Sequence, residues 1–146
     1  MRFCYLLLLT FLVAACGNDD EAVPTGSNTL RATIDGAAFS ANDVRTDVAV
    51  GTVIVTGSDA GYVIQLLIDE DLDAGATFGT FLLNESAFTL TGTGGARFTD
   101  ETGTITLATN DKDARNMTGT FSFTAVAEAD STQTVTIEDG SFNVDY

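Results

Sequence analysis

The residues best able to do chemistry lie together in Asp69-Glu70-Asp71-Leu72-Asp73-Ala74-Gly75. Asp69, Asp71 and Asp73 repeat at i, i+2, i+4, the spacing with which a calcium loop turns successive carboxylates inward. A hard cation takes six to eight oxygens. The Gly falls one place late for a helix–loop–helix calcium site, and Thr80 stands where a bidentate Glu would be needed. The reading these residues favour is an acidic, solvated turn after a hydrophobic strand, with a calcium-dependent binding module as the alternative. Asn110, Asp111 and Asp113 form a second acidic turn with a weaker claim.

Other chemistries lack their residues. The chain has no His and no Trp, and its two Cys are Cys4 and Cys16. Ser-His-Asp and Cys-His catalysis, and the usual zinc sets, are therefore excluded. Lys112 is the sole Lys and sits in a polar turn, where its ammonium stays solvated. Paired carboxylates can hydrolyse glycosides, but the aromatic walls of a sugar cleft are missing. The chain reads as a non-enzyme, with no cofactor expected beyond the calcium alternative.

The N-terminus is the most specific segment. Met1-Arg2 precedes an apolar run, Tyr5 to Ala14, of secretory-signal length and too short to span a bilayer. The run Leu12-Val13-Ala14-Ala15-Cys16 closes it. This arrangement resembles the lipobox of bacterial lipoprotein precursors. The resemblance implies cleavage between Ala15 and Cys16, acylation of Cys16, and attachment to a membrane through the N-terminal lipid. Asp19, Asp20 and Glu21 follow directly and are similar to the acidic export signal of Bacteroidota surface lipoproteins. They imply a place on the extracellular side of the outer membrane. Asp130-Ser131-Thr132 is similar to a short O-glycosylation pattern of exported Bacteroidota proteins, which makes Ser131 a candidate acceptor.

Removal of residues 1–15 leaves five basic against 21 acidic residues, a net charge of −16. Such a chain repels nucleic acid and anionic lipid surfaces. With Cys16 acylated and Cys4 lost, no thiol remains for a disulfide. Residues 16–28 read as a lipidated Cys and flexible acidic tether, spanning about 20 Å on average. Residues 29–146 read as one domain, a size that can bury an adequate core.

From Thr29 onward the apolar period is two. Leu30, Ala32 and Ile34 alternate with Arg31, Thr33 and Asp35; Phe121, Phe123 and Ala125 alternate with Thr120, Ser122 and Thr124. Val135 and Ile137, then Phe142, Val144 and Tyr146, continue the pattern. One face is buried and one wet. Val48 to Val55 reads as a strand with a bend at Gly51, Tyr62 to Ile68 as a central strand, and Phe78 to Leu83, Phe88 to Thr91 and Thr104 to Thr109 as further strands. Asp139-Gly140, between two alternating runs, predicts a two-residue hairpin, because both positions tolerate positive φ. The expected fold is all-β: a single antiparallel β-sandwich of about nine or ten short hairpin-linked strands, or alternatively a closed up-and-down barrel.

The runs Gly103-Thr104-Ile105-Thr106-Leu107, Gly119-Thr120-Phe121-Ser122-Phe123-Thr124-Ala125 and Gly140-Ser141-Phe142-Asn143-Val144, with the opening Arg31 to Phe39, resemble a family of small Bacteroidota lipoproteins of unknown function. The resemblance spans most of residues 29–146 and carries no catalytic residues. The expectation is a lipid-anchored, monomeric envelope domain with a structural or binding role. Its protein or glycan partner is not specified by any motif. A small-hydrophobe carrier is the further alternative if the fold is a hollow barrel.

Overall fold

The computed structural model describes residues 28–79 and 88–146. Cys16, Ala15, Asp19, Asp20 and Glu21 lie outside them, as do residues 80–83 of the strand expected from Phe78. The described chain is all β and antiparallel. Its strands are β1 (Thr29–Ile34), β2 (Ala37–Ser40), β3 (Asp43–Ala49), β4 (Thr52–Ser58), β5 (Val63–Asp69), β6 (Thr77–Gly79), β7 (Phe88–Thr91), β8 (Arg97–Asp111), β9 (Asn116–Ala127) and β10 (Asp130–Asp145). They form one ten-stranded sheet in the order β2-β1-β10-β9-β8-β7-β5-β4-β3, with β6 paired to β8. The sheet curls into a half-barrel. Its two limbs meet where the Thr46 hydroxyl of β3 donates to the carbonyl of Asp145 on β10 at 2.7 Å, and where Gly57 of β4 approaches Leu30 of β1.

The concave face is filled by side chains. Twenty-two buried apolar residues form one cluster, and none of the buried described residues is polar or charged. Strict alternation produces this: in β9, Met117, Phe121, Phe123, Ala125 and Ala127 point in, while Thr120 and Ser122 point out. Removing this much apolar area from water stabilises the fold at roughly 25 cal/mol per Å².

The curvature has a local cause. β8, β9 and β10 run for 15, 12 and 16 residues, long enough that a flat sheet would not close over a core. Their register slips between Asp100 and Thr102, between Leu107 and Thr109, and between Ile137 and Gly140. Each slip is a bulge that bends the strand and increases its twist. Beside each sits a glycine facing a phenylalanine across the strand gap: Gly103 opposite Phe123, Gly119 opposite Phe142, and Gly140 opposite Phe121. The rings cover the glycines so closely that a Cβ at Gly119 or Gly140 would lie within 2.6 Å of a ring atom. Bare backbone on the inner face lets the strands bend, and the ring restores the buried area that the missing side chain forgoes.

Two local expectations are corrected. Asp139-Gly140 is not a hairpin. The residues on either side of it, Ile137 and Ser141, both pair with β9, and Asp139 (φ 51°) takes the left-handed position of a bulge within β10. An Asp-Gly pair supplies positive φ to a bulge as readily as to a turn, and cross-strand partners decide which forms. Val48 to Val55 is not one strand. Val50 (φ 52°) and Gly51 (φ 78°) form the two-residue turn joining β3 to β4. A β-branched residue in that region is a true outlier, which hid the turn from propensity reasoning.

Candidate functional site

The acidic turns that stand far apart in sequence meet at one end of the half-barrel. The β5–β6 loop runs from Glu70 to Ala76 behind Asp69, the last residue of β5, and the β8–β9 hairpin turns at Lys112–Arg115. Both close with Asp side chains accepting from nearby backbone amides, as short polar residues do in turns. The Asp69 carboxylate accepts from the Asp71 amide at 2.8 Å, and that of Asp111 from the Asp113 and Ala114 amides at 3.1 and 2.8 Å.

Asn110 holds the two loops together. Its amide nitrogen donates to the carbonyls of Glu70 and Leu72 at 2.9 and 2.8 Å, and its oxygen accepts from the Tyr146 hydroxyl at 2.8 Å. One half-buried side chain thus joins the β5–β6 loop, the end of β8 and the C-terminal residue. Lys112 adds a bond to the Asp71 carbonyl at 2.9 Å and an exposed ion pair with its carboxylate at 3.7 Å. Arg115 stacks over the Tyr146 ring, 5.3 Å from its centre, and its guanidinium donates to the Tyr146 carbonyl. Between the loops lies an open cleft of about 480 Å³, bordered by Asp73, Ala74, Asn110, Asp111 and Asp113.

The calcium spacing does not become a coordination shell. Among the described residues no three carboxylates gather around a common point. Asp69 is engaged with the loop backbone, and the Lys112 ammonium stands against Asp71. What the arrangement does chemically is present several solvated carboxylates around a shallow cleft. Sequence reasoning missed the bridging roles of Asn110 and Tyr146, because their contacts span 36 to 40 positions of chain.

Ser131 lies exposed at the opposite end, beside the β9–β10 turn. Asp130 organises that tip. Its carboxylate accepts from the Thr132 hydroxyl at 2.7 Å, the Thr132 amide at 3.0 Å and the Gln133 side chain at 3.0 Å. These bonds, the Thr132 hydroxyl first, hold the Asp130 carboxyl below its ordinary range.

Asn28 immediately precedes β1, and its side-chain oxygen accepts from the Asp145 amide at 2.9 Å. The first described residue therefore lies beside the end of β10.

Fold and surface define an antiparallel β half-barrel with an apolar interior and an acidic loop end. A family model described as a domain of unknown function (DUF6252) matches residues 26–144, and the chain belongs to that family. No curated protein and no solved structure matches the chain.

Proposed function

We propose that this protein is a lipid-anchored envelope domain, acylated at Cys16 and displayed on the outer face of the outer membrane, with a non-catalytic binding or structural role. The observation that carries the reading is the register of apolar run, Ala14-Ala15 and Cys16, with Asp19, Asp20 and Glu21 directly behind it. Acyl chains contribute about 0.8 kcal/mol per buried methylene, so two or three of them hold without a spanning helix. The fold supports the reading in one respect. Among the described residues no charged side chain is buried and the interior is wholly apolar. Such a domain offers its outside to partners rather than an enclosed chamber to a substrate. Cys16→Ser should move the protein from the membrane fraction to the soluble one. Unchanged fractionation would overturn the anchor, and resistance of the wild-type domain to protease added to intact cells would overturn surface display.

A further inference from the structure

Among the described residues the main path of the sheet ends in two edge strands. One is β2, of four residues; the other is β3, of seven. Among the described residues β3 pairs with β4 alone. The two-residue turn at Val50-Gly51 makes Ala49 and Thr52 a hydrogen-bonded pair. By alternation, Asp43, Arg45, Asp47 and Ala49 direct their backbone groups at β4. Val44, Thr46 and Val48 therefore direct theirs at the free side. The Val48 amide there is capped by its neighbour, the Asp47 carboxylate, at 2.9 Å. Pairing with β4 along all seven residues holds β3 extended, and the Thr46 hydroxyl bond to the Asp145 carbonyl uses none of the Thr46 backbone groups.

The side chains of β3 are self-complementary in one register. Asp43, Arg45 and Asp47 are exposed on the outer face, and Val44, Thr46 and Val48 are half-buried on the inner face. Two antiparallel copies set with Thr46 opposite Thr46 overlap all seven residues. Arg45 of each, bonded at 2.7 Å to Asp43 of its own strand, then faces Asp47 of the other as a second carboxylate, and Val44 faces Val48. The backbone groups of Val44, Thr46 and Val48 fall in the hydrogen-bonded positions of that ladder, and the Asp47 carboxylate that caps the Val48 amide turns instead to Arg45 of the other copy. With Arg45 opposite Arg45 instead, like charges face each other and Asp43 meets Asp47, which is destabilising.

We propose that β3 is a homotypic docking edge: two copies of this protein join β3 to β3, antiparallel about Thr46, and continue one sheet through both half-barrels. The inference does not rest on the lipid anchor. A seam of one strand is smaller than a standard interface, so the dimer is weak and exchanging. Confining copies to one surface would raise its occupancy.

Cysteine trapping in cells expressing the full chain tests this. Arg45 and Asp47 of the second copy form a non-hydrogen-bonded pair, with Cα atoms about 4.5 Å apart, within disulfide reach. Co-expressed Arg45→Cys and Asp47→Cys chains should give a disulfide dimer well above the background set by Cys4 and Cys16 in the wild type. Either variant alone should not. Absence of a mixed dimer would overturn the proposal, and equal trapping of Arg45→Cys alone would overturn the register. Trapping through Thr46→Cys then reads the charges. Adding Arg45→Asp should lower its yield about tenfold, and adding Arg45→Asp with Asp47→Arg should restore it. A yield indifferent to Arg45→Asp would count against charge-matched pairing.

Discussion

Replacing Gly119 by Ala tests why the sheet curls. Gly119 faces Phe142 across the β9–β10 gap and lies over the Thr106 carbonyl. A Cβ there would sit 2.5 Å from that carbonyl oxygen and 2.6 Å from the Phe142 ring. The ring can rotate only into neighbours already packed, and the carbonyl belongs to a central strand. Both must move. Overpacking of this kind costs about 1–3 kcal/mol, and the backbone contact places Gly119→Ala at the upper end, about 3 kcal/mol. For a domain of this size that lowers Tm by about 10 °C. Gly79→Ala is the matched control, because its Cβ would meet nothing closer than 3.6 Å. There the smaller entropy of the unfolded chain should make Ala neutral or stabilising by about 0.5 kcal/mol. Urea unfolding followed by far-UV circular dichroism measures both. Phe142→Ala should remove part of the Gly119→Ala penalty in a double-mutant cycle, leaving the share due to the Thr106 carbonyl. If Gly119→Ala and Gly79→Ala unfold alike, the glycine–phenylalanine account of the curvature is wrong.

Asn110→Ala should destabilise the domain by about 2–3 kcal/mol, since it removes three hydrogen bonds of about 1 kcal/mol each; Tyr146→Phe, which removes one of them, should cost about a third as much in the same denaturation assay. Val50→Asn should stabilise by about 1 kcal/mol by relieving the positive φ of a fully exposed β-branched residue; unchanged or lower stability would refute backbone strain at Val50. The Asp130 carboxyl should titrate below the ordinary Asp value of about 3.9 in carboxyl NMR, and Thr132→Ala should move it upward. Because the folded value is the lower one, its stabilising effect is present above the unfolded pKa and is lost as pH falls through the folded one; a Thr132→Ala titration that matches the wild type would refute the assignment.

Alternation made most of the strands legible. Phe121, Phe123 and Ala125 point inward where a period of two places them, and β1 begins at Thr29, where alternation starts. Positive-φ residues were legible as irregularities but not as kinds of irregularity. Asp35-Gly36 turns a hairpin, whereas Asp139-Gly140 bends a continuing strand. The dipeptide sets a local conformation, and only the partner strands decide whether the chain reverses. The acidic loops were visible as turns, but their meeting through Asn110 was not, because no local rule relates Glu70 to Asn110.

The sequence by itself determined the all-β class, the apolar interior and the acidic exterior, since these follow from side-chain period and composition. Tertiary structure decided what those strands became. It made one curled sheet, bent where glycines lie under phenylalanine rings. It brought two distant acidic turns into one cleft and, among the described residues, left one side of β3 unpaired. Each of these depends on pairing between residues far apart in the chain, and periodicity within a strand carries no information about which strand lies beside it.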